Sequence, residues 1–372
     1  MVPALFGPDG IVGGAERYAT ELARHMADVV PTRLVTFGDV DGTREHGALQ
    51  LRLVGQPWYV RGQRTNPFHL KLFRELDWAD VVHCHQQHVL ASSAIALWCR
   101  ATGRPVFVSD LGGGGWDVSA YISTDRWFDG HLHLSAYSRH VFGHGTEPRA
   151  RVIGGGVDTT KFSPGAGVRR DAGALFVGRL LPHKGITDLI RGLPDGVALT
   201  VVGPPPDQAM RAELMTLAAG KAVTFKHDVD DTALVNEYRR AMCVVLPSVY
   251  KMPNGRETRV PELLGQTLLE GMACATPALC TRVASMPEVV DDAVGFVVPP
   301  NDPAALYDRL AWFHANPDAS RKLGMAGRQR VLDRFTWSAV VRRCLKAYRE
   351  APFEEPSPER GVALERHTSR SA

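Results

Sequence analysis

Short runs of β-forming residues alternate with amphipathic runs along most of this chain, and this alternation limits its fold more than any other feature. In the first part of the chain, the predicted strands cover residues 2–6, 33–37, 49–54, 80–85, 105–109 and 131–135. Between the first two strands, apolar side chains recur at spacings of three and four, as on one buried helix face, at Ala15, Tyr18, Ala19, Leu22, Ala23, Met26 and Val30. Such alternation predicts βαβ units and a mostly parallel sheet.

The same pattern starts again after a glycine-rich turn at residues 154–156 and a polar link at 158–164. The predicted strands of this second part cover residues 174–177, 199–202, 223–225, 243–246, 278–280 and 295–298, with helices near 208–218, 232–240 and 266–275. A length of 372 residues suits two domains of ordinary size. We therefore predict an α/β fold made of two doubly wound domains.

The two domains are expected to divide between residues 158 and 159. The first would comprise residues 1–158 and the second 159–335, in which 303–334 looks helical. A last helix over residues 336–350 is expected to pack back toward the first domain. The tail at 351–372 has three prolines and few apolar residues, so we expect it to be disordered. Because the first strand begins at the second residue, we expect the natural start to lie upstream.

Composition and charge exclude several classes of protein. Lys and Arg number 43 against 40 Asp and Glu, and this net charge of +3 is too small for a protein whose main partner is nucleic acid. The six cysteines form no CxxC motif and lie mostly in apolar runs, which is typical of reduced core residues in a cytoplasmic protein. The apolar runs are shorter than the roughly 20 residues of a membrane span. We expect a soluble cytoplasmic protein, with peripheral contact at the inner face of a membrane as an alternative. The sequence does not indicate the oligomeric state.

A first candidate site lies in the segment from Glu262 to Pro277, which follows the strand predicted at 243–246 and opens a helix near Gly265. Free backbone N–H groups at a helix start favour an anion such as a phosphate. Glu270 lies about one turn into the helix and Glu262 stands before it, so the two carboxylates reach different parts of one ligand. Carboxylates accept hydrogen bonds from hydroxyl groups, as on a sugar. The alternative is that Glu262 only complements the helix dipole and Glu270 is solvated.

Two further glycine-rich segments could contact phosphate. Gly178-Arg179 and Lys184-Gly185 follow the strand predicted at 174–177, and the two cations could hold a diphosphate or be ordinary surface charges. Gly13 and Gly14 open the first predicted helix, where the backbone can approach a phosphate closely. The chain has neither a GxGxxG nor a GKS/GKT phosphate loop.

Taken together, these segments make the chain resemble the family 4 retaining glycosyltransferases. The matching segments are Gly13-Gly14-Ala15-Glu16, Gly154-Gly155-Gly156-Val157-Asp158, Gly178-Arg179 with Lys184-Gly185, Glu262 and Glu270 with Gly271-Met272-Ala273, Pro287-Glu288-Val289, and Gly295-Phe296-Val297-Val298-Pro299. The resemblance spans roughly residues 3–350. It implies two facing Rossmann-like domains of the GT-B type with a cleft between them, an acceptor bound by the first domain and a nucleotide-sugar donor bound by the second.

The resemblance also implies roles for individual residues. Arg179 and Lys184 resemble the diphosphate clamp, and Glu262 resembles the glutamate that holds the donor sugar. Glu270 resembles the glutamate that binds ribose hydroxyls. The donor phosphates would meet Gly13 and Gly14 and the helix start formed by Gly265, Gln266, Thr267 and Leu268. No cofactor and no metal ion is then expected, and UDP is the favoured nucleotide.

The chain departs from the family pattern at three places, one of which is Ala275, where glycine is common. The link at residues 249–261 is longer than usual, so we expect either a flap whose Lys251, Arg256 and Arg259 border the donor sugar or a solvated loop. Where many members carry a histidine after the fifth strand, this chain has Asp110, followed by glycines at 112–115. Asp110 could act on the acceptor hydroxyl or the donor sugar, or it could cap its own turn.

Histidines near other strand ends leave alternatives open. His83 and His85 would share one strand face and are candidates to line the acceptor cleft. His83, His85, His88, His131 and His133 could instead be metal ligands, but they lack a settled ligand spacing. An acyl hydrolase is disfavoured because the chain has no GxSxG turn. Six basic residues offer either a patch for an anionic acceptor or lipid surface, or a solvated face: Arg44, Arg52, Arg61, Arg64, Lys71 and Arg74.

The sequence thus predicts a metal-independent retaining hexosyltransferase. Its acceptor would be a small molecule, a glycan or a lipid-linked sugar. The alternatives are a nucleotide-sugar epimerase or hydrolase of the same fold, and a catalytically silent nucleotide-sugar-binding protein.

Overall fold

The structure of the protein is a computed structural model, and it describes residues 13–112, 115–205 and 207–350 together with the backbone of a short strand at residues 5–6. The predicted strand at 2–6 therefore lies partly outside the described residues, as do Gly113 and Gly114 and the whole tail at 351–372. Within the described part of the chain, no helix is both long enough and apolar enough to cross a membrane.

The amino-terminal half contains two four-stranded sheets and a small hairpin. The first sheet has the order β1-β2-β4-β3 and comprises β1 (Leu5–Phe6), β2 (Arg33–Gly38), β3 (Gly42–His46) and β4 (Leu49–Gly55). The hairpin comprises β5 (Trp58–Tyr59) and β6 (Pro67–Phe68). The second sheet has the order β10-β9-β8-β7 and comprises β7 (Val82–Cys84), β8 (Val106–Val108), β9 (Gly130–His133) and β10 (Ala150–Val152). All neighbouring strands of the two sheets are parallel except β3 and β4.

The carboxy-terminal half contains one fully parallel sheet of six strands. Its order is β13-β12-β11-β14-β15-β16, with the strands β11 (Ala174–Val177), β12 (Leu199–Val202), β13 (Val223–Lys226), β14 (Cys243–Leu246), β15 (Ala278–Thr281) and β16 (Gly295–Val298). The order reverses direction between β11 and β14. In open parallel sheets, ligands collect at the carboxyl ends of the strands at such a reversal.

The helices cover the faces of the sheets. In the amino-terminal half they are α1 (Gly14–Ala27), α2 (Leu72–Leu76), α3 (Leu90–Thr102) and α4 (Ala136–Val141). The later helices are α5 (Ile186–Arg191), α6 (Gln208–Leu217), α7 (Asp231–Arg240), α8 (Gln266–Ala273), α9 (Met286–Val289), α10 (Pro303–Ala315), α11 (Pro317–Arg334) and α12 (Trp337–Arg349). The α/β class and the GT-B arrangement predicted from the sequence are confirmed.

The structure contains features that the hydrophobic pattern does not predict. β3 is exposed over four of its five residues, and it forms only because it pairs with β4. The helical segment predicted at 303–334 is two helices, broken at Asn316. The break has a local cause, since Pro317 lacks a backbone N–H and fits the first turn of a new helix.

The last helix, α12, packs against α1. The ring of Trp337 lies 5.2 Å from the ring of Tyr18, and the ring of Tyr348 lies 4.8 Å from that of Phe107 on β8. Aromatic rings at these distances contribute beyond their buried area. The chain thus returns to its amino-terminal half after completing the six-stranded sheet. The division at residues 158 and 159 stays a prediction.

The glycines at 154–156 allow three segments to meet closely. A Cβ on Gly155 would lie 2.0 Å from a methyl group of Leu264, and one on Gly156 would lie 2.4 Å from the indole of Trp337. The Tyr18 hydroxyl donates a hydrogen bond of 2.8 Å to the Gly154 carbonyl. No larger residue fits at 155 or 156 without moving these neighbours.

Candidate active site

The start of α8 is placed by a left-handed glycine. Gly265 precedes the helix with φ 78° and ψ 48°, a conformation that glycine adopts without a steric penalty. The first helical residues, Gln266 and Thr267, are partly buried, and Leu268 is fully buried. The Gln266 side-chain amide donates to the Gly156 carbonyl at 3.1 Å, which ties the helix start to the glycine turn.

The predicted diphosphate cation and the predicted sugar-holding carboxylate contact each other. Lys184 Nζ lies 2.5 Å from Glu262 Oε1, and the Ser248 hydroxyl donates to the same oxygen at 2.8 Å. Both charged side chains are largely buried, with 18% and 10% of their areas exposed. Within the described part of the chain, no hydrogen bond reaches Glu262 Oε2. This oxygen is available to a hydroxyl group of a ligand.

Arg179 and Lys184 flank a turn that only glycine can close. Arg179 is exposed, and among the described residues its guanidinium has no hydrogen-bond partner. Gly185 has φ 67°, and a Cβ there would lie 1.9 Å from the Pro247 carbonyl oxygen. The turn after β11 is therefore held against the end of β14, which sets Lys184 beside Glu262.

Glu270 is buried and hydrogen-bonded, so the alternative that it is solvated is wrong. Its residue is 5% exposed, and its Oε2 accepts a hydrogen bond of 2.8 Å from the Tyr238 hydroxyl. Burial raises the pKa of the Glu270 carboxyl, although the Tyr238 hydroxyl and the charge of Arg17 act in the opposite direction. The same burial and the neighbouring carboxyl raise the pKa of Tyr238 well above its usual value. These two side chains form one coupled unit.

The glycines at the start of α1 have different surroundings. The Gly13 N–H donates to the Glu16 carboxylate at 2.7 Å, which caps the helix. A Cβ on Gly14 would meet nothing within 4 Å. Protein packing therefore does not require glycine at residue 14. The start of α1 faces the second half of the chain, because Arg17 Nη1 lies 3.9 Å from Asp231 Oδ1.

Asp110 lies at the carboxyl end of β8 and caps its own turn. Its Oδ1 accepts from the Gly112 N–H at 3.0 Å and from the Gln86 side-chain amide at 3.2 Å. Burial raises the pKa of the Asp110 carboxyl above its usual range. The loop also meets the donor half, since a Cβ on Gly112 would lie 2.9 Å from a methyl group of Leu263. The structure thus brings Asp110 near the segment that carries Glu262.

His83 and His85 share one face of β7, as the alternation predicts, with their rings 4.3 Å apart. His83 contacts Ser109 Oγ at 2.9 Å through Nε2 and the Tyr348 hydroxyl at 2.8 Å through Nδ1. Burial lowers the pKa of His83 to about 3 and that of His85 well below its usual value. His83 is held by the last helix through the Tyr348 hydroxyl.

The inserted link at 249–261 forms a short turn on the surface. Lys251 and Glu257 form an antiparallel bridge, and the Met252 N–H donates to the Arg256 carbonyl at 2.8 Å. The Tyr137 hydroxyl donates to the Arg259 carbonyl. The side chains of Lys251, Arg256 and Arg259 are exposed. Whether they border a sugar stays a prediction.

Sequence reasoning missed several residues that complete the site. Tyr238 and Ser248 were not singled out, because nothing in the spacing links them to the glutamates 32 and 14 residues further on. No role was predicted for Glu288, yet its carboxylate accepts hydrogen bonds from the Ala136 and Tyr137 N–H groups at 2.8 and 2.7 Å. Glu288 therefore caps α4 from the other half of the molecule.

Two of the predicted basic-patch residues are neutralised by acidic partners. Arg52 Nε lies 2.8 Å from Glu75 Oε2, and Lys71 Nζ lies 2.5 Å from Asp41 Oδ2. These contacts reduce the charge that the segment could offer to an anionic surface.

Two family models match the chain, one in each half. The model described as Glycosyltransferase Family 4 matches residues 12–161, and the model described as Glycosyl transferases group 1 matches residues 163–330. Together they cover the strands from β2 to β16 and the residues of the candidate site.

Relatives of established name resemble the chain at moderate identity. An alpha-maltose-1-phosphate synthase of Mycolicibacterium smegmatis is 33% identical over 233 aligned positions, covering 54% of this chain and 57% of that protein. A D-inositol 3-phosphate glycosyltransferase of Acidothermus cellulolyticus is 27% identical over 432 aligned positions, covering 97% of this chain and 90% of that protein. The chain thus spans little more than half the length of the first relative.

The fold is shared with solved structures. The Anabaena protein Alr3699/HepE in complex with UDP-glucose superposes with a TM-score of 0.68 and 17% identity, covering 93% of this chain and 98% of that chain. The family models, the relatives and the shared two-domain fold agree. This chain belongs to glycosyltransferase family 4 and has the GT-B fold.

Proposed function

We propose that the protein is a retaining glycosyltransferase that moves a hexose from a nucleoside-diphosphate donor to an acceptor hydroxyl held by the amino-terminal half. The observation that carries the proposal is the group formed by Lys184, Glu262 and Ser248 beside the start of α8. It combines a cation for phosphate with a carboxylate for sugar hydroxyls. Retention of the anomeric configuration is proposed from the family.

The donor diphosphate would lie between the α8 start and the cations. As the glycosidic bond to phosphate breaks, negative charge grows on the leaving diphosphate. Lys184 and Arg179 would stabilise that charge together with the N–H groups that follow Gly265. Lys184 is already positioned by Glu262 before the donor arrives, so it loses little freedom on binding.

The sugar and the ribose would be held by different carboxylates. Glu262 Oε2 would accept from a hydroxyl of the sugar, while its Oε1 keeps Lys184 and Ser248. Glu270 would accept from ribose hydroxyls at the far end of the diphosphate. Gly14 would let the α1 start approach the phosphates from the opposite half, because no protein atom occupies the space beside its Cα.

The proposal also covers the nucleotide, the class of acceptor, the independence of metal and the location of the protein. UDP is the favoured nucleotide, in keeping with the UDP-glucose complex of the HepE structure. The acceptor would be a small molecule, a glycan or a lipid-linked sugar. Lys184 and Arg179 would supply the charge that a metal ion would otherwise supply, so transfer would need no metal. A cytoplasmic location, with or without peripheral contact at a membrane, is also proposed.

The test begins with a thermal-shift screen of UDP-, GDP-, ADP- and TDP-sugars. A donor at a hundredfold excess over its dissociation constant stabilises the fold by about 2.7 kcal/mol. The donor that binds is then incubated with candidate acceptors, and the product anomer is read by NMR with and without EDTA. An α-linked product from an α-linked donor, formed equally in EDTA, supports the proposal. Donor epimerised or hydrolysed at full rate without acceptor would show a different enzyme, and binding without turnover a silent binder.

A further inference from the structure

A cluster of one carboxylate and two imidazoles includes His131 on β9, an inner strand of the second sheet. Asp125, His131 and His144 each direct one ligand atom to a point where all three atoms lie within 4.8 Å of one another. Ligand atoms around a tetrahedral zinc ion, with bonds of about 2.0–2.1 Å, lie about 3.3 Å apart. His144 Nε2 and Asp125 Oδ1 are already 3.7 Å apart, so small rotations would suffice.

The histidine at the centre of the cluster, His144, has a buried nitrogen that makes no hydrogen bond to a described residue and lies 3.7 Å from Asp125 Oδ1. His144 is 5% exposed, and within the described part of the chain its Nε2 makes no hydrogen bond although it faces the Asp125 carboxylate. Its other nitrogen, Nδ1, lies 3.0 Å from His133 Nε2. A contact of this kind fixes the orientation and tautomer of a metal-ligating histidine. A buried polar atom left unpaired carries a desolvation cost, which a bound cation would remove.

The carboxylate is held in place and reaches an open cavity. Asp125 Oδ1 accepts from the Gln87 side-chain amide at 2.6 Å, and its Oδ2 accepts from Ser123 Oγ at 3.2 Å. His131 Nε2 lies 3.2 Å from the Asp125 carbonyl oxygen. Asp125 also lines a cavity of about 420 Å³ beside His88. The cavity thus reaches the cluster on the side of Asp125.

A second group of similar composition is already neutralised. Glu21, His25 and Asp158 also gather within 4.8 Å, but the guanidinium of Arg24 donates to Glu21 at 2.8 Å and to Asp158 at 3.2 Å. Because the guanidinium already neutralises both carboxylates, they attract a metal cation only weakly. This group serves as an internal control.

We propose that Asp125, His131 and His144 form a binding site for one divalent transition-metal ion of the zinc type. Two imidazoles and one carboxylate suit zinc or cobalt, whereas Mg²⁺ prefers oxygen ligands. The site is separate from the Lys184 and Glu262 group, and its test does not depend on the transfer reaction.

The test is a calorimetric titration of the full chain, first freed of metal by a chelator, with Zn²⁺ and with Co²⁺. One ion should bind per chain, and Co²⁺ should give visible absorption typical of low-coordinate cobalt. His144→Ala should weaken binding at least 100-fold, and His133→Ala about 10- to 100-fold because it removes the orienting contact. Mg²⁺ should not compete with Zn²⁺.

Matched variants distinguish this site from other histidines. His140→Ala removes an exposed histidine nearby, and His25→Ala disrupts the Arg24-neutralised group, so both should bind as the wild type does. Asp125→Asn keeps the Gln87 hydrogen-bond acceptor and is expected to fold, which circular dichroism checks. The proposal is overturned if the wild type binds no ion more tightly than about 1 mM, or if His144→Ala and folded Asp125→Asn both bind like the wild type.

Discussion

Lys184 Nζ and Glu262 Oε1 form a largely buried ion pair, 2.5 Å long, between the turn after β11 and the residues just before α8. The two groups neutralise each other while the cleft holds no donor. In the proposed mechanism a diphosphate would share Lys184 with Glu262, so the carboxylate would position the cation and reach the sugar at the same time. Substitution of either residue leaves the other charge without its partner, and such losses are costly in buried surroundings.

Lys184→Ala and Arg179→Ala are each expected to lower turnover by about 10²- to 10³-fold, the usual loss when one group that stabilises a transition-state charge is removed. Arg179 is exposed, so its replacement should leave the melting temperature unchanged. Steady-state kinetics on both variants decide the question, with Lys322→Ala, an exposed lysine on α11, as the control. Turnover near that of the wild type would remove the cations from the mechanism.

Glu270→Ala and Glu262→Ala are expected to change the affinity for free nucleotide by different amounts. Glu270→Ala should weaken UDP and the UDP-sugar alike, because the ribose is common to both ligands. Glu262→Ala should leave UDP binding within about threefold and reduce transfer strongly, since its free oxygen would meet only the sugar. Calorimetry with UDP measures the first effect. Equal losses of UDP affinity in the two variants would show that the roles are misassigned.

Glu270 should also make the stability of the fold depend on pH. Burial raises its folded-state pKa above the ordinary value of 4.5, so its favourable contribution is complete below that pH and is lost as the pH rises through the raised pKa. The free energy of unfolding of the wild type, relative to Glu270→Gln, is therefore expected to fall from pH 4.5 upward. Urea denaturation of both proteins between about pH 4 and 8 measures the difference. A difference that grows with pH would contradict the assignment.

Gly14→Ala and Gly185→Ala are expected to separate a ligand contact from a folding requirement. At residue 14 a methyl group meets no protein atom, so the fold should be retained while donor affinity falls, because the methyl group would point toward the phosphates. At residue 185 the methyl group would strike the Pro247 carbonyl in a left-handed turn, costing at least about 1–3 kcal/mol of stability. Melting temperatures and donor titrations check both. Full donor affinity in Gly14→Ala would remove that residue from the site.

Asp110→Asn tests whether the carboxylate does more than cap its turn. An amide oxygen can still accept from the Gly112 N–H and the Gln86 amide, so the melting temperature should stay the same. If the charge orients the acceptor or the sugar, transfer should fall more than tenfold. Transfer within about threefold of the wild type, at an unchanged melting temperature, would require the acceptor side to be rebuilt around His85.

Elements with a signal in their own residues were predicted from the sequence, whereas elements that depend on distant neighbours were not. The strands at 174–177, 199–202, 243–246 and 295–298 are found at those bounds, because each is a short run dominated by apolar and β-branched residues. The exposed strand β3 carries no such signal, since its conformation is imposed by its neighbour β4. The antiparallel edge of the first sheet was for this reason not expected.

The sequence by itself determined the fold class, the restart of the pattern near residue 160 and the glycines, cations and glutamates proposed for the donor, because periodicity and local turn chemistry depend on neighbours within a few residues. Only the tertiary structure decided which side chains meet. Lys184 and Glu262 are separated by 78 residues, Tyr238 and Glu270 by 32, and His83 and Tyr348 by 265. Contacts at such separations follow from the order of strands in the sheets and the return of α12, and so do the burial and the shifted pKa values of Glu270 and Asp110.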